Sequence, residues 1–152
     1  MRCLLPLLLL LLGGPALACV PARGSAAISR SFLTQVNDLR GQSGLRKLHV
    51  EARLARAALA HACDNARRRS YGHRGGDGST LAQRLARVQY PYRAAAENTG
   101  WGFRSATSAL RWWLRSPPHR ANLMNPALRD IGIGIALGGD EKLYWVLDLG
   151  TR

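Results

Sequence analysis

Acidic side chains are scarce in this chain. Nine Asp and Glu stand against 22 Lys and Arg, a formal net charge of +13 over 152 residues. Such an imbalance favours anionic partners: acidic lipid, lipopolysaccharide, wall polymers or nucleic acid. No basic stripe interleaved with aromatics is present, so no specific nucleic-acid partner is expected. The glycine-rich loop at 70–79 has neither a lysine nor phosphate-loop spacing, which argues against a nucleotide. No serine or cysteine triad is evident, which weakens a protease reading. Internal repeats and low-complexity domains are also lacking.

Long apolar runs are missing except at the start. Arg2 precedes a run at 4–12 interrupted only by Pro6, and Gly13, Gly14 and Pro15 break it. Ala16, Leu17 and Ala18 then offer small residues at the two recognition positions of a cleavage site. Residues 1–18 read as a secretory signal peptide, too short to span a bilayer comfortably. The mature chain is expected to start at Cys19 and to be secreted or periplasmic. Its length suits one domain, with a linker at 19–27 and the folded body at 28–152.

Cysteine is rare, with three residues, and Cys3 leaves with the signal. Two readings of the remaining pair stand side by side. A Cys19–Cys63 disulfide would close a loop of about 44 residues, worth roughly 3–4 kcal/mol in the loop-entropy model. Alternatively, Cys19 is lipidated and anchors the chain to a membrane, since Leu17-Ala18-Cys19 partly matches a bacterial lipobox.

Apolar periodicity predicts a helix through Ile28, Phe32, Val36 and Leu39, stopped by Gly41 and Gly44, and a second from about 50 to 69. Leu54, Ala55, Ala58, Leu59, Ala62, Cys63 and Ala66 give the second a small apolar face. His61 falls near the edge of that face, as a packing or solvated residue. Ser79 or Thr80 caps a short helix carrying Leu81, Leu85 and Val88. Ala106, Ala109, Leu110, Trp113 and Leu114 mark another helix, which Ser116, Pro117 and Pro118 stop, leaving His119 in a rigid turn. Asn122 to Arg129 reads as a loop. Strands at 131–137 and 143–149 form a hairpin, with Gly132, Gly134 and Ala136 opposite Ile131, Ile133, Ile135 and Leu137. A face of glycine and alanine lets a helix or ring lie flush on it.

Two residue types suggest chemistry. His119 follows two prolines, and His73 sits inside the glycine-rich loop. Glu97 lies in a segment without other charges, and burying its carboxylate without a cation or donors would cost on the order of several kcal/mol. An ion pair with one of the arginines is the plain alternative.

In order along the chain, several motifs resemble the CAP superfamily, the SCP-like extracellular domains of cysteine-rich secretory, antigen 5 and pathogenesis-related 1 proteins, in its bacterial branch. They are Val36 through Arg40, Leu54 through Ala62, His73 with Asp77 and Gly78, Ala96-Glu97-Asn98, Ser116 through Leu123, Ile131 through Gly134, and Tyr144 through Gly150. The resemblance implies an α+β fold, a three-layer α-β-α sandwich with a small, mainly antiparallel sheet between helices. It implies a cleft lined by two histidines and two glutamates, the histidines able to bind zinc or another divalent cation. His73 and His119 match the histidines and are the expected metal ligands. Glu97 matches one glutamate and is the candidate catalytic residue. The second glutamate is missing, because Leu114, Arg115 and Ser116 occupy its stretch.

The expected function is a monomeric binding or interaction module for an extracellular ligand: anionic lipid, an envelope polymer or another envelope component. One alternative is a metal-assisted hydrolase using His73, His119 and Glu97. The other is a structural scaffold with a basic, anion-binding surface.

Overall fold

The computed structural model describes residues 21–152. The expected signal peptide, Cys3 and Cys19 therefore lie outside the described residues. The order of elements is α1 (Ser25–Gln42), β1 (His49–Val50), α2 (Ala52–Arg68), α3 (Leu81–Arg87), β2 (Ala94–Trp101), α4 (Ala106–Arg115), α5 (Pro117–Leu123), β3 (Asp130–Leu137) and β4 (Leu143–Thr151). The sheet runs β1-β3-β4-β2, antiparallel except for the short parallel β1–β3 pairing.

Alternation along β3 and β4 divides the interior into two cores. On one face Ile131, Ile135, Trp145, Leu147 and Leu149 pack with Phe32 and Val36 of α1, Trp113 of α4 and Leu123 of α5. On the other, Ala136, Tyr144 and Val146 meet Ala58, Ala62, Cys63 and Ala66 of α2. A satellite cluster joins Leu54 and Ala57 of α2 to Leu85 of α3 and Tyr90. Helices thus cover both faces, which makes an α-β-α sandwich. Cys63 is buried on α2.

Small residues set how closely α2 approaches. A Cβ on Gly132 would collide with the backbone of Leu54 and Ala55, and one on Gly134 with Ala58 and Leu59. The flush packing expected of the Gly-Ala face is the contact between α2 and β3. On the opposite face, Arg40 is fully buried, and its guanidinium donates to the carbonyls of Arg46, Leu123, Asn125 and Leu128. It ties α1 to the exit of α5.

Two local expectations are corrected, and one strand is new. Residues 94–101 form edge strand β2, although alanine and glycine give the segment little strand propensity. Its pairing with β4 over eight residues overrides that preference. Pro117 and Pro118 end α4 and also start α5, because proline is tolerated where a helix's first N–H groups have no partner anyway. His119 and Asn122 are therefore helical, rather than in a turn and a loop.

Gly134→Ala should destabilise the chain by about 1–3 kcal/mol through overpacking against α2. Gly139→Ala, in the hairpin where an added Cβ meets nothing within 4 Å, should change stability by less than about 0.5 kcal/mol. Urea unfolding of the two variants checks this, and equal costs would contradict the packing account.

Candidate functional site

Register brings two carboxyl groups together. Glu97 on β2 pairs with Asp148 on β4, so the two side chains share the α2 face of the sheet. Both are buried. Glu97 is fully engaged: His73 Nδ1 lies 2.8 Å from its Oε1, and Arg84 donates to its Oε2 at 2.6 Å. Burial pushes the Glu97 carboxyl up, but the His73 bond and the Arg84 charge outweigh it and hold it below the ordinary glutamate range. The ion pair foreseen as the plain alternative exists, and the same carboxylate also holds a histidine.

Asp148 is treated differently. Neither of its oxygens has a hydrogen-bond partner among the described residues. Burial, and then the neighbouring Glu97 charge, push its carboxyl well above the ordinary aspartate value. The two adjacent carboxyls are thus displaced in opposite directions, Glu97 downward by its cationic partners and Asp148 upward by burial and by Glu97 itself.

The glycine-rich loop that presents His73 is tethered at several points. His61 Nε2 donates to the Gly72 carbonyl at 2.9 Å, and Asn65 Nδ2 donates to the same oxygen at 3.2 Å. Arg84 donates to the carbonyls of His73 and Ser79, and the Gly76 N–H donates to Asp64. His61 is fully buried, 4.0 Å from Glu97, and burial pushes its pKa down. Of the two readings offered for this residue, packing and solvation, packing is the one that holds. His73 itself stays exposed, with its pKa raised first by the Glu97 hydrogen bond.

His119 reaches the edge of β2 from the other sheet face. Its Nδ1 is 2.8 Å from Ser116 Oγ, and its carbonyl accepts a bond from Asn98. Asn122 Nδ2 donates to the Glu97 carbonyl, and Trp113 Nε1 to that of Thr99, so α4 and α5 cover parts of the edge strand. Burial, and then the charge on His73, lower the His119 pKa. His73 therefore contacts Glu97 directly, whereas His119 is linked to it only through β2 and senses His73 electrostatically.

Both imidazoles use Nδ1 for an oxygen partner, and no hydrogen bond among the described residues engages either Nε2. That is how an outer partner orients a metal-ligating histidine. Among the described residues, no three His, Cys, Asp or Glu side chains converge to hold a metal ion. A metal bound by His73 and His119 would therefore have two protein ligands. A cavity of about 290 Å³ lies to one side, lined by His61, Asp64, Arg67, Arg84 and Arg87, and His73, Glu97 and His119 are not in its wall.

His61, Arg84 and Asp148 were not singled out as site residues from the sequence. Each carried a signal: an i,i+4 His61–Asn65 pair on an apolar helix, a cation beside Leu85 on a short helix, and an acid between Leu147 and Leu149.

A family model described as CAP, cysteine-rich secretory protein family, matches residues 33–149. The chain is 27% identical over 115 residues to an uncharacterized membrane protein, YlbC, of Bacillus subtilis, covering 76% of this chain and 32% of that one. The chain thus spans about a third of that relative. An outer surface protein from Borrelia burgdorferi superposes with a TM-score of 0.78 at 21% identity, over 88% of this chain and 98% of that one. An extracellular protein containing an SCP domain from Bacillus anthracis superposes with a TM-score of 0.73 at 24% identity, over 81% and 40%.

A carboxyl whose pKa is higher in the folded than in the unfolded chain binds its proton more tightly when folded. Its favourable contribution is complete below the unfolded value near about 4 and declines as pH rises toward the folded value. Asp148→Asn should remove that decline. Urea denaturation from about pH 4 upward should show a smaller loss of stability in the variant than in the parent chain. Parallel pH profiles would mean that Asp148 is not held protonated.

Proposed function

Since the chain belongs to the cysteine-rich secretory protein family, we propose that it is an exported binding module whose cleft takes an anionic component of the cell envelope. The carrying observation is the His73–Glu97–Arg84 constellation, which holds an exposed imidazole rigidly at the cleft. The excess of basic residues supports an anionic partner. Export, to the periplasm or the outside, rests on the leader-like stretch at 1–18. No helix among the described residues is long and apolar enough to cross a membrane.

A divalent cation such as zinc would find imidazole donors in His73 and His119, whose rings Glu97 and Ser116 orient through Nδ1. Such an ion would supply a Lewis acid with open positions for a carboxylate or phosphate of the ligand. The hydrolase alternative draws less support. Both oxygens of Glu97 are engaged and its basicity is lowered, the opposite of a general base tuned toward neutral pH.

Protein purified without chelator should carry zinc that His73→Ala and His119→Ala each lose; equal metal content in all three removes the metal site. Binding to isolated cell envelopes should persist at about 0.5 M salt, where the Debye length falls to roughly 4 Å, and should weaken in His119→Ala. Binding that vanishes at that salt and ignores the substitution would favour the scaffold with a basic surface. The mature chain should have a mass lacking residues 1–18 and one hydrogen molecule, as a Cys19–Cys63 disulfide requires. A diacylglyceryl adduct would replace the disulfide with an anchor.

A further inference from the structure

We infer that the aromatic rim of the cleft is a stacking platform for a carboxylate-bearing glycan. The inference deepens the proposed binding function and rests on it. Among the described residues six large apolar side chains are exposed, and three of them are Tyr71, Trp101 and Trp112, at 58%, 39% and 48%. Tyr71 and Trp101 stand on the His73 side of β2, and Trp112 stands on the His119 side. Tyr71 precedes His73 by two residues, its carbonyl accepts the Thr99 hydroxyl, and its ring lies 5.9 Å from that of Trp101. Trp112 on α4 lies 5.3 Å from the His119 ring and 5.4 Å from Phe103. Phe103 is held in turn against Trp113 and Trp145. The rim rings are braced by their neighbours while keeping surface in water.

Single exposed apolar residues are ordinary, whereas rings gathered beside a polar cleft mark a binding surface. Rigid aromatic side chains lose little conformational freedom on contact, so they give area at low entropic cost. Their ligand must offer a flat C–H face to the rings and hydroxyls to the imidazoles of His73 and His119. A pyranose ring does both. A bilayer surface offers headgroup phosphates to the imidazoles but no flat C–H face to the rings. Charge then selects among glycans. Lys142 Nζ lies 4.1 Å from the centre of the Trp101 ring and 3.9 Å from the Asp140 carboxylate, an exposed, loosely paired cation that the carboxylate of a sugar stacked on the Tyr71–Trp101 pair would meet.

Calorimetric titration of the mature chain with a galacturonate hexamer tests this, beside a neutral glucan hexamer and phosphatidylglycerol vesicles. Saturable binding to the acidic hexamer is expected. Tyr71→Ala and Trp112→Ala should each raise its Kd about five- to tenfold, the cost of one lost stacking contact. Trp112→Phe should recover most of that loss, which separates stacking from misfolding. Lys142→Gln should weaken the acidic hexamer more than the neutral one, and Arg30→Ala on α1 should stay within about twofold. No saturable binding to the acidic hexamer, unchanged Kd in the rim variants, or binding to vesicles alone would each overturn the inference. Envelope binding without hexamer binding sinks the glycan and leaves the binding module standing; loss of both removes the two together.

Discussion

Keeping one carboxylate ionised inside the protein is the demand that organises its polar interior. Glu97 lies buried on the edge strand, and an unpaired charge there would be costly. Arg84 offsets that cost from α3 and His73 from the glycine-rich loop. Because Arg84 also binds two loop carbonyls, neutralising the charge and shaping the loop are one act. Removing one partner of such a buried pair typically costs about 3–5 kcal/mol, more than the pair's net worth, because the other charge is left stranded. Asp148 lies beside Glu97 in the same interior, and burial together with the Glu97 charge pushes its carboxyl well above the ordinary aspartate value.

The two sides of the cleft are built by different means. On the α2 side, close packing does the work: Gly132 and Gly134 let the helix backbone reach the sheet, which brings His61 and Asn65 within range of the loop. On the other side, aromatic contacts do it, with Trp113, Phe103 and Trp145 fixing α4 over the sheet and Trp112 left at the surface. The histidines thus stand on unrelated supports that meet only at β2. Family membership fixes this architecture and says little about which ligand it serves.

Much of this was legible in the residues. Period-two alternation at 131–137 gave the strand, its buried side and its flush contact with a helix, because glycine and isoleucine differ so sharply in bulk. The 3.6-residue spacing gave α1, α2 and α4, and Thr80 capped α3 as its side chain suggests. The His73–Glu97 contact was expected from family likeness, not from spacing, since 24 residues separate the two. Strand β2 was not legible because its pairing is long-range and its residues are weak strand formers. For His61 the choice between packing and solvent stayed open, because helical periodicity locates the apolar face but not what folds over its edge. The loop that buries His61 is a tertiary event.

Arg40 has one further consequence. Its guanidinium is locked, out of reach of solvent, on carbonyls at and beyond the end of α5. The helix carrying His119 is thereby bolted to the body of the molecule at its far end. Any contact made with His119 is therefore made with a side chain whose helix is clamped at its exit by a cation that water does not reach.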